Sequence, residues 1–126
     1  TGKPKLLAKY GEKRFYLPHG IFVDHNAFIY TTDVGSHQDY FVSSDKNHFC
    51  KPAGVVVSKM DGYVYVADGY CNNRIVKFSS EGRFISQFGE FNSGRSRLGQ
   101  FSLPHDITLD EQGGRIFVAD RENGRT

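Results

Sequence analysis

The sequence lacks tryptophan altogether and has one methionine, four prolines and two cysteines in 126 residues. It also lacks any long apolar run, and a membrane-crossing helix needs about 20 consecutive apolar residues. The opening stretch, TGKPKLLAKYGEKRF, has too short an apolar centre for a secretory leader and no initiator Met. With a closing ADRENGRT that stops where a strand is due, the chain reads as an internal piece of something longer. An excess of one charge is missing too. Sixteen Lys and Arg stand against 14 Asp and Glu, and the basic residues are scattered. No basic face of the kind nucleic acid selects emerges, and Arg95-Ser96-Arg97, flanked by Gly and Ser, reads as a solvated loop. The two cysteines, Cys50 and Cys71, are 21 positions apart and permit a disulfide or two buried thiols equally well.

What the sequence does have is strand material. Seven Tyr, eleven Phe and fourteen Gly favour short aromatic strands joined by glycine turns, in a chain of 38% apolar residues that suits a folded domain. The middle segment, residues 51–90, parses as four strands: Gly54–Ser58, Tyr63–Asp68, Arg74–Ser79 and Phe84–Gly89. Asp61-Gly62 and Glu81-Gly82 separate them, and the Asp-Gly pair between β-rich runs predicts a type I′ turn with positive φ at both central residues.

The same frame recurs on both sides. Pro18 leads to Asp33, Pro52 to Asp68 and Pro104 to Asp120, spans of 15, 16 and 16 residues, and each copy then enters a polar loop. A meander of about 40 residues with this recurrence predicts an all-β fold, a β-propeller of four-stranded blades. An eight-stranded sandwich would alternate strands and turns as well, but it does not predict the recurrence. The blade pieces fall at approximately 15–45, 51–90 and 101–126, one full and two partial, because DYFVSSDK after Gln38 is too short for two more strands. Three such pieces cannot close a ring, since each blade buries its face only against neighbours.

Two copies place a histidine after the proline, His19 and His105, whereas the middle copy has Ala53. Equivalent positions of a closed ring converge on its axis, so two imidazoles there can reach one ion, as in zinc sites with three protein ligands and an open position. Two imidazoles that merely cap a strand start explain the same pattern, and the residues alone leave both readings open. His37, beside Gln38, is a weaker candidate, and His25 and His48 read as surface turns. In the loop GYCNNR, Tyr70 is a candidate base, because cations beside a phenol favour the tyrosinate. RENGR offers Arg121 and Arg125, whose forks suit carboxylates; Arg125, matched by Arg74 in the repeat, reads as structural.

Taken together, LPHG with TTDVGSHQ, NHFCKP, VADGYCNNRIVKFS with GRFISQFGE, GQFSLPH and VADRENGR resemble the peptidyl-α-hydroxyglycine α-amidating lyase family. This is the second catalytic domain of peptidylglycine α-amidating monooxygenase, found also as a separate enzyme. The resemblance runs from about Phe15 to Arg125; DGYCNNRIVKF and VADRENGR are its specific parts, and the rest is shared with NHL-repeat propellers. It implies a six-bladed propeller with an axial zinc on three histidines. His19 and His105 match two of them, and the third lies in a later Pro-His-Asp motif outside this chain. Tyr70 matches the tyrosine proposed as base, and Arg121 an arginine near the substrate; a further arginine falls upstream. A structural calcium would take the backbone carbonyl of Ile21, with its carboxylate beyond the C-terminal end. Cys50 and Cys71 match a family disulfide.

The resemblance further implies a C-terminal α-hydroxyglycine peptide as substrate, the remaining propeller blades, and a monooxygenase domain in the same parent chain. The expected place is the secretory pathway, in granules or outside the cell, with a parent that is free or membrane-tethered. No nucleic-acid partner is expected. Two departures stand out. Ile116-Phe117 occupies the place of a cysteine of the family's second disulfide, and the stretch after Gln38 is short by most of two strands. With a ligand and an arginine outside it, the chain alone is expected to be an incomplete enzyme. A non-catalytic NHL-type propeller that binds protein or RNA is the rival expectation.

Overall fold

Runs of β-branched and aromatic residues between turn formers become strands along the chain. A computed structural model describes residues 12–35, 49–91, 97 and 99–126. His37, Gln38, His48 and Arg95 lie outside the described residues. The strands are β1 (Pro18–Val23), β2 (Ile29–Asp33), β3 (Gly54–Val57), β4 (Val64–Asp68), β5 (Arg74–Phe78), β6 (Phe84–Phe88), β7 (Glu90–Phe91), β8 (Gln100–Phe101), β9 (Pro104–Asp110) and β10 (Arg115–Asp120). A single 3₁₀ turn, Arg121–Asn123, follows β10. β3 to β6 form a four-stranded antiparallel meander in sequence order, while β1–β2 and β9–β10 are hairpins and β7 pairs with β8 in parallel. The four strands expected in the middle segment are present, with ends displaced by no more than one residue.

The expected type I′ turns are not what forms. Gly62 and Gly82 have positive φ, 72° and 79°, but Asp61 and Glu81 do not. The reason is loop length: Ser58 N–H donates to the Tyr63 carbonyl and Ser79 N–H to the Arg83 carbonyl, which leaves four and three loop residues instead of two. Loops of that length are built on a type I turn closed by one left-handed residue, and glycine fills that place without steric cost.

The inner strands pack on one another in the order of the repeats, β3 between β1 and β9, with β4 also against β9. All four residues of β3 are buried, as befits a strand covered on both sides. The core is Val56, Tyr65, Ala67, Ile75, Ile107 and Val118, joining the middle sheet to β9–β10. Such close stacking needs small residues. A Cβ on Gly20 would lie 2.5 Å from the Ala53 carbonyl oxygen, and one on Gly54 would lie 2.9 Å from the Asp106 Cα.

The aspartate that closes each second strand explains the constant spacing. One oxygen of Asp33, Asp68 and Asp120 accepts the backbone N–H two residues before the repeat proline, from Tyr16, Cys50 and Ser102, at 2.8, 2.8 and 2.7 Å. In the second and third copies the other oxygen holds an Asn and an Arg. Asp68 accepts from Asn72 and Arg74, and Asp120 from Asn123 and Arg125. Arg125 therefore has the structural place that its match to Arg74 suggested.

Candidate functional site

His19 follows Pro18 and His105 follows Pro104, so the stacking of β1, β3 and β9 brings both imidazoles to the same end of the fold. Their ring centroids are 4.7 Å apart, with planes at 75°. Tyr70, from the loop that follows β4, completes the group. Its hydroxyl lies 3.1 Å from His105 Nε2 and 3.4 Å from His19 Nε2. Three residues from three repeat copies thus converge on a small volume, and Tyr70 and His19 are open to solvent there.

Each member is held by local chemistry. His19 Nδ1 lies 3.1 Å from the Ala53 carbonyl oxygen. A carbonyl can only accept, so Nδ1 carries the proton and Nε2 of the neutral ring keeps its lone pair. Burial, with the His19 imidazole and the Arg121 guanidinium, pushes His105 below the ordinary histidine range against the opposing pull of Asp106. Both rings turn Nε2 toward the Tyr70 hydroxyl.

Tyr70 sits in a loop fastened at three points. Cys71 is joined to Cys50 by a disulfide, with Cα atoms 5.5 Å apart. Gly69 abuts the Pro104 backbone so closely that a Cβ would overlap its carbonyl. Asn73, left-handed at φ 51°, accepts the Leu103 N–H through Oδ1 at 2.8 Å. The Leu103 carbonyl in turn accepts the Arg121 N–H at 3.2 Å, tying the Tyr70 loop to the segments of His105 and Arg121. The Arg121 side chain is half exposed and pairs with Glu122 at 3.2 Å.

The structure brings His19, His105 and Tyr70 together, sets Arg121 near His105 and joins Cys50 to Cys71. Ile21 is elsewhere, on β1 opposite Thr31, with an exposed side chain. Among the described residues no cluster of three or more His, Cys, Asp or Glu is present. A cleft of about 520 Å³ lies between β2 and the middle sheet, and none of His19, Tyr70 or His105 lines it. Its walls, Tyr30, Phe49, Pro52, Val55, Val66 and Phe78 among them, are largely apolar, as in a seam between sheets. Sequence reasoning passed over Thr32, the Ala53 carbonyl and Asn73. Thr32 carried a signal, since the other two copies have Ala67 and Ala119 at its place.

A four-stranded meander with partner hairpins in the same frame defines this chain as part of an NHL-repeat β-propeller, and the NHL repeat model matches residues 49–78 and 101–125. Over nearly its whole length the chain is a homologue of proteins named peptidyl-alpha-hydroxyglycine alpha-amidating lyase and peptidyl-glycine alpha-amidating monooxygenase. It is 43% identical to peptidyl-glycine alpha-amidating monooxygenase of Mus musculus over 98% of this chain and 14% of that protein. It is 37% identical to a probable peptidyl-alpha-hydroxyglycine alpha-amidating lyase of Caenorhabditis elegans, over 96% of this chain and 39% of that protein. A human NHL repeat-containing protein, number 3 of its name, is 31% identical over 86% of this chain and 38% of its own length. The chain thus spans well under half of these relatives. The mouse alignment extends over 142 positions against the 126 residues here, so that protein has residues inside the matched span that this chain lacks.

Proposed function

We propose that this chain is part of a zinc-dependent peptidyl-α-hydroxyglycine α-amidating lyase, which splits a peptidyl-α-hydroxyglycine into a peptide amide and glyoxylate. The observation that carries the reading is the approach of the Tyr70 hydroxyl to the Nε2 atoms of both His19 and His105. The donor set suits zinc: two imidazole Nε2 atoms, one ring fixed by a carbonyl behind it, facing an open side. His19 and His105 would hold the ion, and a third ligand would come from beyond this chain. Zinc bound there supplies Lewis acidity to the substrate's α-hydroxyl. Tyr70 takes the proton of that hydroxyl as the N–Cα bond breaks, the C–O bond becomes the aldehyde of glyoxylate, and the amide nitrogen gains a proton. Arg121 receives the substrate carboxylate by exchanging its exposed partner, Glu122, for the ligand.

Calcium needs about six to eight oxygens. Ile21 offers one carbonyl, and the described residues around it do not complete a calcium site. The Cys50–Cys71 disulfide supports a secretory-pathway location. The parent chain would carry the further blades and, as in the monooxygenase relatives, a preceding monooxygenase domain. The test uses the full-length protein. Tyr70→Phe should keep zinc and lose about 10²–10⁴-fold in lyase turnover, while His19→Ala with His105→Ala should lose zinc. Unchanged zinc in the double variant overturns the metal site, and a fully active Tyr70→Phe overturns the role of Tyr70.

A further inference from the structure

We infer that Thr32 is a positioning residue for the metal-facing nitrogen of His19, acting through the Ala53 carbonyl of the neighbouring repeat. The inference rests on the zinc site proposed above and assigns a residue that the repeat does not explain. Thr32 is buried, 5% exposed, at the strand position where the other copies have alanine. Its Oγ1 donates to the Ala53 carbonyl at 2.7 Å and accepts the Gly20 N–H at 2.7 Å. The same carbonyl accepts from His19 Nδ1 at 3.1 Å.

One hydroxyl thereby fixes two things at once. Its proton anchors the carbonyl that selects the Nδ1–H tautomer of His19, and its lone pair anchors the peptide that follows His19. The need is specific to this histidine. His19 is exposed, whereas His105 is partly buried next to the fully buried Pro104. Groups that orient a ligating histidine from behind typically alter metal affinity by about 10–100-fold when removed.

The experiment compares Thr32→Ala, Thr32→Ser and His19→Ala in the full-length protein. Zinc affinity is measured by chelator competition, and the His19 tautomer by ring ¹⁵N shifts in metal-free protein. Alanine already stands at this position in two of three copies, so Thr32→Ala should fold. We expect it to weaken zinc binding about 10–100-fold and to mix the His19 tautomers. Thr32→Ser, which keeps the hydroxyl, should stay near wild type on both readouts. Wild-type zinc affinity and an unmixed tautomer in Thr32→Ala overturn the inference and leave the zinc site standing. A wild-type protein that takes up no zinc, with His19→Ala no different, overturns the site and the inference with it.

Discussion

The middle repeat and the hairpins beside it differ in a way that separates scaffold from chemistry. β3 is buried along its length and is preceded by Ala53, whereas β1 and β9 each carry a histidine after the proline, and β1 leaves Ile21 and Val23 exposed. The best-packed copy thus carries no imidazole. Its contributions are a backbone carbonyl behind His19 and a fastened loop that delivers Tyr70. The repeat frame itself does not require a histidine after the proline, since Ala53 stands there in the middle copy. The candidate site is assembled from substitutions upon that frame, drawn from all three copies.

Breaking the aspartate latch in each copy tests the scaffold side of this comparison and should give the largest effect. Asp68 is fully buried and its partner Arg74 nearly so, 2.9 Å apart. Removing one partner of a buried pair costs about 3–5 kcal/mol because the other charge is stranded. Asp120 has the same contacts, but a third of the Arg125 side chain is exposed, so Asp120→Ala should cost only about 1–3 kcal/mol. Urea unfolding of the full-length protein measures both. Equal losses would mean that burial does not distinguish the middle copy.

Next in size is the disulfide, which belongs to the middle copy alone among the described residues. Closing a loop of 21 residues contributes about 3 kcal/mol in the chain-entropy model. Cys50→Ser with Cys71→Ser should lower stability by that order and also loosen the Tyr70 loop. Because Gly69 and Asn73 still dock the loop on Leu103 and Pro104, zinc affinity should fall less than turnover. If both are unchanged, the disulfide has no part in placing Tyr70.

Much of this was legible in the residues. The proline-to-aspartate spacing located strands and loops because one carboxylate oxygen must reach a fixed backbone N–H in every copy. His19 and His105 stood out because matched repeat positions share a place in space. The turn type was misjudged: a dipeptide indicates that a turn occurs, but the loop length that selects its type depends on where the flanking ladder stops. Thr32, Asn73 and the Ala53 carbonyl were not singled out because their roles lie across repeat junctions, in contacts between residues 21 to 34 positions apart. A backbone carbonyl leaves no mark on residue identity at all.

The two inter-repeat junctions supply the smallest predicted effect and the finest form of the comparison. At the junction of the second and third copies, Glu111 Oε1 accepts the backbone N–H groups of Lys59 and Met60, from the loop after β3. At the junction of the first and second copies the residue in register with Glu111 is Lys59 itself, which has no carboxylate to offer. The Ser58 hydroxyl above all, against an opposing effect of burial, and then these two N–H groups and the Lys59 charge, hold the Glu111 carboxyl below the ordinary glutamate range. A carboxylate depressed in the folded state stabilises it above its unfolded pKa, about 4.3, and that contribution is lost as pH falls through the lower folded value. Glu111→Gln should therefore flatten the acid limb of a melting-temperature profile below about pH 5 while changing little at neutral pH beyond one exposed contact. Lys59→Gln, which removes the charge and keeps the N–H, should retain most of the slope. An unchanged acid limb in Glu111→Gln would place the acid sensitivity at other carboxylates and make the two junctions equivalent in this respect.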